Sequence, residues 1–237
     1  AAAGDRMTAA PLASVFLPSY NKPDYVAEAI GSVLDQDCGD FELWVLENST
    51  DDRTRKVIGP LLGDPRIRYL ELDIPAAQRE SCYITSQLLN TFYPRAEGRF
   101  IFYLSDDDLL QPGCVAEVTR FLEEDPARGV CYFSQRQVVW RDGCWQDCLV
   151  IAADQPRGTG TQMVTVDCHI DGGQIAYRTS CLRALTQPWF PEDPDPSVAR
   201  HSDGLFMQKL ASFHTFWPLP AELGVKRRSP LSTWCQG

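Results

Sequence analysis

The sequence predicts an α/β domain, a mostly parallel sheet with helices on both faces and a smaller antiparallel portion behind it. Two observations carry this. From Ser14 to Glu124, apolar runs of strand length alternate with stretches of helical period, strand then helix, four times over. The polar clusters Ser19 to Asn21, Glu47 to Asp52 and Ser105 to Asp108 each follow a strand directly. Ligands of parallel sheets bind beyond the carboxyl ends of the strands, so the three clusters point to one crevice.

The elements follow in order. Ser14 to Pro18 is a buried strand, and Pro23 suits the first turn of the helix from Tyr25 to Leu34, whose apolar residues share one face. Phe41 to Leu46 is the second strand, followed by a helix from Asp52 to about Leu62. Ile67 to Leu72 is the third strand and Gln78 to Phe92 a longer helix. Phe100 to Leu104 is the fourth strand, running into Asp106, Asp107 and Asp108, with a helix from Cys114 to Glu124 after it. In the second half Gly129 to Trp140 and Trp145 to Ile151 flank Asp142-Gly143, a hairpin signal. Ile175 to Tyr177 is a short strand and Ser180 to Leu185 a short helix. Pro188 to Pro196 is a surface loop, and Asp203 opens a helix through Ala211. Thr215 to Val225 is a strand and Lys226 to Gly237 a tail. No repeat or linker is visible, so residues 1–237 are expected to form one domain, with residues 14–125 as its first half and 126–237 as its second.

Composition narrows the function. With a net charge of −10 and no basic run longer than Lys226-Arg227-Arg228, nucleic acid is not the expected partner. There is no apolar run of transmembrane length, and the start AAAGDRMTAAP lacks the apolar core of a signal peptide. The nine cysteines are odd in number and scattered, which reads as reduced, packed thiols of a cytoplasmic chain, at most peripheral to a membrane. Cys144, Cys148, Cys168 and His169 make only a loose zinc pattern. The nucleotide fingerprints GxGxxG and GxxxxGK[ST] are absent.

Three carboxylates at the end of a buried strand repel one another and resist desolvation; Mg²⁺ or Mn²⁺ would relieve both costs and leave positions for phosphate oxygens. The alternative is that they cap the helix after Pro112. Asp203 taken alone reads as a helix cap, Arg79 as a solvated helix residue, and His169, His201 and His214 as structural.

Six segments together resemble the family 2 glycosyltransferases of GT-A fold: VFLPSYNKPDYVAEAIGSVLDQ, VLENSTDD, PAAQRESC, YLSDDDLLQPG, HSDGLFMQKLA and GVKRRSPLST. The resemblance spans Ser14 to Ser232 and implies a Rossmann-like sheet and an inverting transfer of a sugar from a nucleotide diphosphate to an acceptor hydroxyl. It implies Pro18, Tyr20, Glu47, Arg79, Asp106 and Asp107 on the donor side, Asp107 and Asp108 at a Mn²⁺ or Mg²⁺ ion, and Asp203 as catalytic base. A UDP-sugar is the expected donor, with GDP- and dTDP-sugars open. The acceptor, a saccharide, lipid-linked sugar or small molecule, is expected at Gly158 to Gly173 and Pro188 to Ser202, with Gly173 and Trp189 as contacts. Ser105, Glu47 and Ser202 depart from the acids usual at those places. The rival readings are a non-catalytic GT-A-like module binding nucleotide-sugar or glycan, and a nucleotidyltransferase, which would need a glycine that SYNKPD lacks.

Overall fold

The computed structural model describes residues 10–81, 84–158, 170–186, 188–189 and 202–228, the side chains of 79–81, 158 and 184 excepted. Among these residues ten strands join one sheet in the order β3-β2-β1-β4-β9-β6-β10-β5, with β7 on β6 and β8 on β10. The strands are β1 (Ala13–Ser19), β2 (Phe41–Glu47), β3 (Ile67–Glu71), β4 (Phe100–Tyr103), β5 (Leu109–Leu110), β6 (Val130–Arg141), β7 (Cys144–Ile151), β8 (Arg157–Gly158), β9 (Ile175–Arg178) and β10 (Thr215–Arg228). The helices are α1 (Val26–Leu34), α2 (Arg53–Ile58), α3 (Ala76–Ser81), α4 (Ile84–Phe92), α5 (Cys114–Glu123) and α6 (Ser202–Ala211). The single helix expected over Gln78 to Phe92 corresponds to α3 and α4, with residues 82–83 outside the described set.

The period-two alternation of the strands divides the core into two layers. Val15 and Leu17 of β1 and Phe100 and Phe102 of β4 pack with Ile30 and Val33 of α1 and Val115 and Val118 of α5. Phe16 and Ile101, their neighbours in sequence, face the other way onto Leu89 of α4 and Phe206 and Leu210 of α6. Helices on both faces of one sheet are therefore the direct outcome of strands apolar on both sides.

β1 pairs in parallel with β2 on one side and β4 on the other. The chain order reverses at this point, so the crevice past the ends of β1 and β4 is the topological switch point. The second half differs from expectation. β9 runs antiparallel between β4 and β6, but β6 and β10, the long strands of that half, pair in parallel. The ends of β6 and β10 thus open on the same side as those of β1, β2 and β4. β10 also continues to Arg228, so Lys226, Arg227 and Arg228 are strand residues and not a tail. The Asp142-Gly143 hairpin forms with φ values of 53° and 81°, both in the left-handed region that a tight two-residue turn needs.

Candidate active site

The loops after β1 and β2 are stitched together. The Ser19 carbonyl accepts from the backbone N–H of Asn48 at 3.0 Å and from its Nδ2 at 2.9 Å. Asn21, at φ 53°, donates its N–H to Ser49 Oγ at 2.9 Å and accepts the Thr50 N–H at 3.0 Å. A short polar side chain tolerates that conformation because it bonds locally. Pro18 is buried within β1 opposite Leu46, and Tyr20 projects at the crevice with 44% of its surface exposed.

Glu47 is fully buried. Its Oε1 accepts the Ser49 N–H at 2.8 Å and its Oε2 accepts Nε of Arg55 at 2.8 Å. In this arrangement the carboxylate organises the loop, and direct contact with a ligand would require Arg55 to release it. Arg55 carried no signal in the sequence, where it is one of several basic residues on an amphipathic helix. Arg79 lies on α3, and its side chain is outside the described residues.

The aspartates after β4 diverge. Asp106 Oδ2 accepts the Tyr20 N–H at 2.8 Å, and burial, then the charge of Asp107, pushes its carboxyl up to about 7. Asp107 Oδ2 meets the Lys22 ammonium at 2.5 Å. Asp108 turns away: Oδ1 accepts the Arg227 N–H at 2.9 Å and Oδ2 meets the Lys226 ammonium at 3.3 Å. The two expected metal ligands thus each meet a lysine ammonium, Asp107 that of Lys22 and Asp108 that of Lys226. Among the described residues no group of three or more metal-competent side chains converges. One or two carboxylates are a donor set that suits Mg²⁺ or Mn²⁺, ions that complete their sphere with phosphate oxygens and water. Capping does not explain the aspartates: α5 begins at Gly113, φ 79°, with no side-chain cap.

The opposite wall is built by the 3-10 turn Gly172–Gln174 and by α6. Asp171 caps the turn, accepting the Gly173 N–H at 2.9 Å while its own N–H donates to Gln174 Oε1 at 2.8 Å. Gly173, the expected acceptor contact, is a buried member of this turn. Asp203, in the first turn of α6, accepts the Gly204 N–H at 2.8 Å and the Gly172 N–H at 3.3 Å. A Cβ on Gly172 would lie 3.2 Å from that of Asp203, which is why glycine stands there. Two influences compete on Asp203, and burial prevails: desolvation, then the charge of Asp171, pushes its pKa above the ordinary 3.8, against the Gly204 and Gly172 amides and Lys226.

Trp189, the expected acceptor contact, is 2% exposed and stacked on Phe206 at 4.5 Å and 10°. The rest of the expected acceptor loop, residues 190–201, and residues 159–169, including Cys168 and His169 of the loose zinc pattern, lie outside the described set.

A family model described as glycosyl transferase family 2 matches residues 14–147, more than half of the chain. The chain belongs to this family. Among family 2 relatives, the protein CgeD of Bacillus subtilis (strain 168) is 27% identical over 221 residues, which is 92% of this chain and 50% of CgeD. The chondroitin synthase of Pasteurella multocida (strain Pm70) is 28% identical over 129 residues, 54% of this chain and 12% of the synthase. The chain thus spans half or less of these relatives. Of solved structures, S. aureus TarS 1-349 in complex with UDP superposes with a TM-score of 0.67 at 20% identity, covering 92% of this chain and 61% of that one. The mannosyltransferase PcManGT of Pyrobaculum calidifontis, in complex with GDP-Man and Mn²⁺, gives 0.61 at 16% identity, covering 92% and 57%. At these identities the likeness speaks for the fold, which is GT-A.

The motif carboxylates Asp106, Asp107 and Asp203 all lie at this crevice. Lys22, Asp171, Gly172 and Lys226 were not singled out in the sequence, although Asp171 and Gly172 fall in the expected acceptor segment and Lys22 and Lys226 in family-like segments.

Proposed function

We propose that the chain is an inverting glycosyltransferase that moves a sugar from a nucleotide diphosphate, a UDP-sugar first among candidates, to an acceptor hydroxyl. The observation that carries this reading is the pairing of walls in one family 2 crevice. The stitched strand-end loops with Asp106 and Asp107 form one wall, and a partly buried, raised-pKa Asp203 held by two backbone amides forms the other.

The parts divide as follows. Pro18, Tyr20 and the Glu47-organised loop receive the base, and Asp106 the ribose. Asp107 would hold Mn²⁺ or Mg²⁺, an ion that when bound supplies charge against the departing diphosphate. Asp203 takes the proton of the acceptor hydroxyl as its oxygen bonds to the anomeric carbon and the bond to the diphosphate oxygen breaks. A carboxylate whose pKa is raised is a stronger base than one at its ordinary value, provided it is still ionised at working pH. The Mn²⁺ and UDP of the superposed structures support the donor half.

The test is a panel of UDP-, GDP- and dTDP-sugars with saccharide acceptors and Mn²⁺, comparing the native chain with Asp203→Asn. Loss of transfer by orders of magnitude with nucleotide binding intact is the expected result. Nucleotide binding with no transfer by either chain would move the assignment to a binding module.

A further inference from the structure

Lys226 sits near the end of β10, its side chain 16% exposed, with its ammonium between two carboxylates from opposite walls of the crevice. It lies 3.3 Å from Asp108 Oδ2 and 2.8 Å from Asp171 Oδ2. Burial works against its charge, but Asp108 and Asp171 together hold its pKa well above the ordinary value. It is therefore a permanent cation, tying the aspartate loop after β4 to the turn before β9.

The tie reaches the base in two further contacts. Asp171 uses Oδ2 for Lys226 and Oδ1 for the Gly173 N–H, so the ion pair and the turn share one carboxylate. The turn in turn delivers the Gly172 N–H to Asp203 Oδ2 at 3.3 Å. Gly172 and Asp203 also lie close, since a Cβ added to the glycine would stand 3.2 Å from that of Asp203. A displacement of the Asp171 turn therefore acts on the Asp203 carboxylate through the Gly172 amide.

We infer that Lys226 is a positioning residue for the transfer reaction, setting where the Asp203 carboxylate stands relative to the donor-side loop by clamping Asp171 to Asp108. The inference rests on the reading of Asp203 as the base. The Asp171 side of the clamp acts on the geometry of attack and not on nucleotide affinity, because Asp171 bonds Lys226 and its own turn, Gly173 and Gln174, while the Lys226 side also touches the aspartate loop through Asp108.

The experiment compares Lys226→Met, Lys226→Arg and Asp171→Asn with the native chain. It uses three readouts: kcat for sugar transfer, Kd for UDP with Mn²⁺ by calorimetry, and the amide resonance of Gly172 by NMR. Expected for Lys226→Met is a kcat loss of about 100-fold, the scale of an ångström-size misplacement. The Gly172 amide shifts upfield as its bond to Asp203 is lost. Asp171→Asn, which can keep the cap on Gly173 and leaves the aspartate loop untouched, reproduces both losses with UDP affinity within about twofold, and Lys226→Arg restores most of kcat. An unchanged kcat and Gly172 resonance, or a fall in the UDP affinity of Asp171→Asn as large as its fall in kcat, overturns the inference. The NMR readout needs no activity. If neither chain transfers sugar, the function reading fails while the clamp from Lys226 to Gly172 is still decided.

Discussion

The Lys22 ammonium lies 2.5 Å from Oδ2 of Asp107, the closer of the two lysine–aspartate pairs after β4, the other being Lys226 with Asp108 at 3.3 Å. Lysine and a divalent ion would compete for the same oxygen. Lys22→Met should therefore tighten Mn²⁺-dependent UDP binding at low metal, and Asp107→Ala should weaken it about tenfold or more and remove its sensitivity to chelator. Calorimetry with and without chelator measures both. UDP binding indifferent to metal in every variant would dismiss a metal role for Asp107.

The pH dependence carries two opposite signs from one group. Asp203 has its pKa raised above 3.8, by burial first and then by Asp171. As a base it works only when ionised, so kcat/KM should fall as pH drops through that raised value, with an acid limb above the ordinary carboxylate range. For stability, a carboxyl with a raised folded pKa contributes fully below 3.8 and loses the contribution as pH rises through its folded value. The unfolding free energy of the native chain minus that of Asp203→Asn should thus become more negative from acid to neutral pH in urea titrations. A difference flat across that window would contradict the buried, ionising carboxylate.

Arg227 is 3% exposed and donates to the Asp107 carbonyl, to Glu28 and to the Tyr25 carbonyl, with its guanidinium 5.3 Å from the Tyr25 ring. It joins β10, α1 and the aspartate loop. Arg227→Met should cost about 2–4 kcal/mol, since it leaves a buried carbonyl without its charged donor; Glu28, largely exposed, adds little. Denaturant unfolding gives the number, and a loss under about 0.5 kcal/mol, the scale of an ordinary surface change, would refute the assignment.

Trp189 stacks on Phe206 and exchanges two hydrogen bonds with Asn90, at 2.8 Å and 3.0 Å. Trp189→Ala should lower stability by about 3–5 kcal/mol, the cost of a large aromatic removed from a core. Trp189→Phe should fold well and leave the acceptor KM unchanged. A KM raised severalfold by Trp189→Phe alone would return the indole to the acceptor site.

The strands and helices of the first half were legible because each carries its own period: alternation with apolar residues on both faces in β1 and β4, and a 3.6-residue stripe in α1 and α5. Elements too short to show a period were not legible, such as Leu109–Leu110 of β5, a strand only because β10 pairs with it. The parallel pairing of β6 with β10 was also hidden, since direction is set by the partner strand.

The sequence by itself determined the alternation of elements, the crevice at the strand ends and the motif residues Asp106, Asp107 and Asp203. Only the tertiary structure decided what those carboxylates face. Lys226 and Arg227 read as a solvated tail because charged residues prefer water. They are largely withdrawn from water because Asp108, 118 and 119 residues away, and Glu28, 199 residues away, meet them in space. Periodicity is a property of neighbours along the chain. The partners of Lys226, and the raised pKa of the carboxylate it helps to place, are properties of neighbours that only folding brings together.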